Sequence, residues 1–154
     1  MSSLASRVVL AAVAAVGLRE HGGPNRGPPI DLYAGGRREP WCGHFVASVF
    51  REVGSPLPGD VAPSAGQHNP IAQVSVMHRE CEAAGLLVAQ PQAGDVVFFS
   101  SRAGSDTGAG WHVGIVSACL DDIVQTIEGN SGDAVARRRY RVGDKRIAGY
   151  ARQR

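Results

Sequence analysis

The sequence is short of three things: charge of one sign, cysteine, and long apolar runs. Its 16 Lys and Arg stand against 14 Asp and Glu, a formal net charge of +2 with His neutral. So even a balance does not point to nucleic acid as a partner. The three cysteines, Cys42, Cys81 and Cys119, cannot all pair within one chain. Their wide spacing offers neither a Cys-x-x-Cys zinc pattern nor a disulfide framework, so at least one thiol is free. A free thiol suits folding in a reducing compartment. The most apolar stretch, "SRVVLAAVAAVGL" at 6–18, is too short to span a bilayer, and nothing demands a membrane. Aromatic residues make up only 6% of the chain, whereas 20 Gly and 9 Pro accompany 44% hydrophobic residues. This is the composition of a loop-rich globular protein rather than a fibrous or disordered one. At 154 residues, with no internal repeat or low-complexity tail, the chain reads as a single domain, 1–154.

The N-terminal run has the basic start and apolar centre of a short signal peptide. It passes straight into "REHGGPNRG" without a polar cleavage region, and Ala and Leu are strong helix formers. Residues 4–17 are therefore read as a buried first helix ended by Gly17 or Gly22, with a signal peptide as the alternative. Next comes "HGGPNRGPPIDLYAGGRREP", so rich in Gly and Pro that it reads as one long shaped loop. From Trp41 the apolar residues fall at 41, 45, 46, 49, 50 and 53, one stripe of a buried helix. Pro40 suits its start and Gly54 its end. A turn-rich connection over 55–70 leads to a second helical stretch, Ile71 to Ala84, closed by Gly85. The period then changes. The runs at 95–100, 112–120, 123–129, 134–142 and 147–152 alternate or are β-branched, with Gly and Asp turns too short for crossover helices. Helices first and strands second predict an α+β domain whose N-terminal helices pack on a mostly antiparallel sheet of about five or six strands. The basic clusters "RRRYR" and "RQR" read as a solvated strand face, with a polyanion site as the lesser alternative.

Cys42 falls in the first turn of the Trp41 helix, where backbone N–H groups have no intrahelical partner and the macrodipole is positive. Both favour the thiolate, and the Cys42 N–H points to where charge would develop on an attacked carbonyl. The leaving amine of such a reaction must be protonated, usually by a histidine. Of the five histidines, His112 opens a strand directly after the glycine-rich "SRAGSDTGAG", a strand end where a side chain can face a cleft beneath a mobile loop. His44 lies two residues past Cys42 and points elsewhere around the helix. His21 and His68 fall in loops, and His78 with Cys81 reads as a chance surface pair. The imidazole needs an acceptor of its own. Glu128 and Asn130 in "TIEGNSGD" would share one strand face and could both turn toward it, although they also read as ordinary turn residues.

Taken in order, "PWCGHFVASVF", "GDVVFF", "WHVGIV" and "TIEGNSG", with "RRYR" following, resemble the CHAP amidohydrolase/peptidase family, within the wider papain-like, NlpC-type cell-wall peptidases. The resemblance runs from about Glu20 to Tyr150 by the order and spacing of these motifs. It implies a papain-like fold, a Cys42 nucleophile, His112 as general base and acid, and Glu128 with Asn130 orienting the imidazole. It also implies peptidoglycan as substrate, cut at the amide between lactyl group and stem peptide or within the stem or cross-bridge. The upstream "REHGGPNRGPPIDLYAGGRREPWC" is similar to a subset of relatives with a Glu, an Asn-x-Gly and a Tyr before the cysteine. Trp41, Asn25, Tyr33, Trp111 and His44 are the candidate substrate-binding residues. For His44, a departure from the family pattern, a solvent-facing position is the favoured reading. Some relatives bind calcium through an Asp-rich loop, but only Asp31 stands here, so no metal and no cofactor is expected.

Two other classes stay open: a deamidase or transpeptidase using the same thiol on a protein, and a catalytically silent wall-binding module. The expected partner is peptidoglycan, met by a monomer, with an immunity protein or delivery component if the chain is a secreted effector. No nucleic-acid or membrane partner is expected. An enzyme acting on the wall from the periplasm or cell surface without a clear export signal fits a phage lysin, a delivered effector, or a domain of a larger exported protein. Cys81 and Cys119 read as core residues.

Overall fold

A computed structural model describes residues 1–64, 67–100 and 110–154. The elements are α1 (Leu4–Ala15), α2 (Pro28–Ala34), α3 (Cys42–Glu52), a 3-10 turn (Pro70–Ala72), α4 (Val74–Ala83), β1 (Leu87–Val88), β2 (Val96–Ser100), β3 (Trp111–Leu120), β4 (Ile123–Glu128), β5 (Ala136–Arg141) and β6 (Ile147–Ala151).

In α1, Ser3 caps the first turn by accepting from the Ser6 N–H at 3.1 Å. Val8 and Ala12, one helical turn apart, are fully buried while Leu10 is 65% exposed. Only one face of the expected buried helix is therefore covered, and the helix ends before Gly17. The segment read as unbroken loop contains α2. Pro28 and Pro29 occupy its first turn, where their fixed φ is pre-set for helix and the missing N–H costs nothing, and Gly35 ends it in the left-handed region at φ 61°. Proline here starts structure rather than stopping it.

α3 begins and ends where Pro40 and Gly54 place it, and it buries Trp41, Phe45, Val46 and Phe50 completely. Each such side chain contributes on the order of 1.5–3 kcal/mol. The stretch expected as one helix from Ile71 to Ala84 is split, because Gln73 is extended at φ −77° and ψ 111° between the 3-10 turn and α4.

The sheet has six strands in the order β1-β6-β2-β3-β4-β5, every pairing antiparallel. Alternation gives it two apolar faces. Val96, Phe98, Val113, Ile115 and Ile127 join the helices in the main core, and Val97, Phe99, Val116, Val124 and Tyr150 form a smaller cluster. The short β1 carries no alternation to read in the sequence, and β4 and β5 are shorter than the apolar and basic runs suggested. β5 is an outer strand with exposed Arg137, Arg138, Arg139 and Arg141, a solvated, charged edge that discourages pairing with another sheet. Near the C-terminus, Arg152 grips the buried Asp95 through Nε and Nη2 at 2.8 and 2.9 Å. Cys81 is fully buried, and burial pushes its thiol up to about 11, whereas Cys119 is only half-buried, outside the core position expected for it.

Candidate active site

The start of α3 is fixed from below and behind. The Trp41 indole N–H donates to Glu20 Oε1 at 2.9 Å, Tyr33 stacks on the same indole, and Tyr33 also meets Phe45 edge-on. Gly129, just past β4, lies against Phe45 and Trp41, where a Cβ would fall 2.6 and 3.0 Å from their side-chain atoms. A side chain there would drive β4 off α3. This close approach brings the strand end that carries Glu128 to the helix start that carries Cys42. On the other flank, a Cβ on Gly43 would overlap the Ala72 carbonyl, so glycine lets the 3-10 turn close against the helix.

Cys42 is the first residue of α3 and 7% exposed, with its backbone N–H left over for a ligand. His112, near the start of β3, is hydrogen-bonded through Nε2 to Glu128 Oε2 at 2.9 Å. That leaves Nδ1 free to serve Cys42, which lies close enough to influence the imidazole's charge. Burial opposes a charge on His112, but the hydrogen bonds and charges of Cys42 and Glu128 outweigh it and push the imidazole up to about 9. Glu128 is 1% exposed. Burial would raise it, yet donors from His112, Thr126 and Tyr140 hold it below the usual carboxylate range. The Thr126 hydroxyl donates to Glu128 Oε1 at 2.6 Å, so both carboxylate oxygens are committed.

Thr126 and Tyr140 were not anticipated from the sequence. Thr126 precedes Glu128 by two and so shares its strand face, a signal that was available. Tyr140 shares the sheet face of Thr126 and Glu128 through the β4–β5 register, which pairs Val124 with Tyr140, and it is among the groups that lower Glu128.

Several expectations change. β4 stops at Glu128, and Asn130 sits in the following turn at φ 55°. Strand alternation therefore does not carry it to the face of Glu128, and the imidazole's partner is Glu128. His44 is 2% exposed rather than solvent-facing, because its Nε2 pairs with Glu39 Oε1 at 2.8 Å. Trp41, a candidate for substrate binding, is fully buried and braces α3. Tyr33 is likewise spent on packing, and Asn25 occupies a left-handed turn at φ 54° away from the Cys42 groove. Trp111 does line that groove. His78 is no surface partner of Cys81: it is half-buried against Phe98 and Trp111, with ring centroids 5.0 and 5.3 Å away. The mobile loop expected over His112 falls at 101–109, outside the described residues.

Two hollows flank this line of residues and share Trp111. One, about 330 Å³, is walled by Glu39, Pro40, Cys42, Gln73 and Trp111. The other, about 300 Å³, is walled by Phe99, His112, Tyr140 and Arg146. Among the described residues no three His, Cys, Asp or Glu side chains gather to hold a metal ion, and no helix among them is long and apolar enough to cross a membrane.

A helix start bearing a cysteine, packed on an antiparallel sheet that supplies His and Glu, defines a papain-like α+β domain. The chain belongs to the CHAP domain family, whose model matches residues 33–130. No curated protein matches it significantly. Among solved structures it is similar to Ly7917, with 16% identity and a TM-score of 0.61 over 99% of this chain and 63% of that one. Ly7917 with the hydrolyzing product of MDP gives 17%, 0.58, 97% and 62% in the same order. An NLP/P60 family protein similar to a lipoprotein, SAV0400 from Staphylococcus aureus subsp. aureus Mu50, is 15% identical with a TM-score of 0.52, over 99% of this chain and 42% of that one. The chain thus spans somewhat under two thirds of the Ly7917 structures.

Proposed function

We propose that this domain is a peptidoglycan hydrolase that cuts an amide bond of the cell wall by covalent catalysis at Cys42. The observation that carries the reading is the Cys42–His112–Glu128 line at the meeting point of two hollows. Membership of the CHAP family and the likeness to a structure holding a hydrolysis product of MDP support it.

The Cys42 sulfur, its proton resting on His112 Nδ1, attacks the substrate carbonyl carbon, and the oxygen's developing charge faces the free N–H of Cys42. Collapse breaks the C–N bond as His112 gives its proton to the departing amine, leaving a thioester. His112 then takes a proton from water, whose oxygen attacks the thioester, and the carboxylic acid leaves while the proton returns to sulfur. Glu128, held by Thr126, keeps the imidazole aligned and stabilises its charged form throughout.

Cys42→Ala and His112→Ala should each abolish release of soluble fragments from purified sacculi while the circular dichroism spectrum stays native. Full activity in either variant would sink the mechanism. Mass spectrometry of the wild-type digest then identifies the bond. New free amino groups on L-alanine mean an amidase, and new ends further along the stem mean an endopeptidase.

A further inference from the structure

Glu39 stands three residues before the nucleophile, in the wall of the Cys42 hollow. Its Oε1 accepts from two neighbours, Arg37 Nε at 3.1 Å and His44 Nε2 at 2.8 Å. His44 lies on α3 and is 2% exposed. Burial, its largest influence, disfavours its charge, so the ring is a neutral imidazole whose Nε2–H donates to Glu39. The buried Nδ1 has no partner, which costs less as a bare lone pair than an orphaned N–H would. This clamp holds Glu39 ionised, and among the described residues no donor reaches its Oε2. The side chain keeps 28% of its surface exposed.

Glu39 and Cys42 line the same hollow, so a carboxylate with an open Oε2 faces the space before the reacting group, and its charge calls for a partner cation there. Arg37 supplies part, from the partly exposed side of the segment. Trp111 lines the same hollow, whose other walls mix the apolar Pro40, Ala72 and Val74 with His68, Gln73 and Ser75. A fixed carboxylate and an aromatic side chain lining one hollow are the chemistry that receives an ammonium group.

We infer that Glu39, positioned by His44, forms an ammonium subsite with Trp111, so that the preferred substrates are peptides carrying a free amino group next to the cleaved amide. The inference deepens the hydrolase reading and rests on it for the substrate. The subsite itself is testable without cleavage.

The probe is aminoethyl methanethiosulfonate against its neutral methyl analogue. Each transfers its thioalkyl group to the Cys42 sulfur and expels methanesulfinate, and the labelled peptide is followed by mass spectrometry. The ratio of cationic to neutral labelling rates should fall roughly fivefold in Glu39→Gln. It should rise in Arg37→Gln, which removes a competing cation from the partly exposed side and keeps the test open if Glu39→Gln fails to fold. Equal ratios in all three proteins overturn the inference. Stem-peptide fragments with free or acetylated amines separate the two proposals. Equal cleavage of both by the wild type overturns the ammonium subsite and leaves the hydrolase reading intact. Charge-selective labelling without cleavage of any fragment or of sacculi overturns the hydrolase reading and supports the subsite.

Discussion

Gly114 and Glu128 stand side by side on adjoining strands, and the glutamate side chain fills the space that Gly114 leaves empty: a Cβ there would lie 2.7 Å from Glu128 Cγ. The carboxylate reaches His112 across that gap. In Gly114→Ala the glutamate must shift, at a cost of about 1–3 kcal/mol if strained in place. We expect a soluble, folded protein with hydrolysis reduced at least tenfold, and an imidazole NMR titration displaced toward its ordinary value. Unchanged activity would show that Glu128 tolerates displacement.

Glu128→Gln keeps the shape but removes the charge, and its amide can donate to Nε2, favouring the wrong tautomer. The comparable change in a serine protease triad costs about 10⁴ in kcat, so a loss of about 10²–10⁴ is expected here, with KM little altered. Thr126→Val removes one hydrogen bond to a charged group, worth about 1.5–3 kcal/mol. It should lower kcat by a smaller factor than Glu128→Gln. Steady-state kinetics on a defined muropeptide checks both.

The pH dependence has a definite sign. His112 titrates higher in the folded protein, about 9 against an ordinary 6.5. Its contribution to stability is therefore complete below about 6.5 and is lost as pH rises through about 9. Glu128 titrates lower when folded, so its contribution is present above its ordinary 4.5 and is lost as pH falls below that. Thermal melting between pH 6 and pH 10 should show the alkaline loss in the wild type and a flatter curve in His112→Gln. Equal slopes would contradict the ion-paired state.

Arg152→Ala strands Asp95, which is 1% exposed and also accepts from the Gln92 N–H at 2.7 Å. Loss of one partner of a buried pair costs about 3–5 kcal/mol. The guanidinium side of this pair is 36% exposed, so about 2 kcal/mol is expected. Urea denaturation should move its midpoint accordingly without changing the m-value.

Much of the chain's organisation lies in local chemistry that its residues declare. Pro40 and Gly54 bracket α3, so Cys42 falls in its first turn whatever surrounds it. The alternation of 96–100, 111–120 and 123–128 makes strands because one face must be apolar. Motif order tied Cys42, His112 and Glu128 together. Burial and pairing are not local properties. His44 goes inward because Glu39 is there to receive it, and Trp41 is a brace because Glu20 and Tyr33 cover it. Asn130 leaves the strand face because β4 ends at Glu128, one residue sooner than the run 123–129 suggested, where Gly129 must touch Phe45. Tyr140 joins it because register, set by contacts along a whole hairpin, places it there. Which groups could do the chemistry, and on which kinds of element they sit, is written in local residue patterns. Which of them meet is settled by packing, because close approach at Gly43, Gly114 and Gly129 depends on what lies opposite each absent side chain.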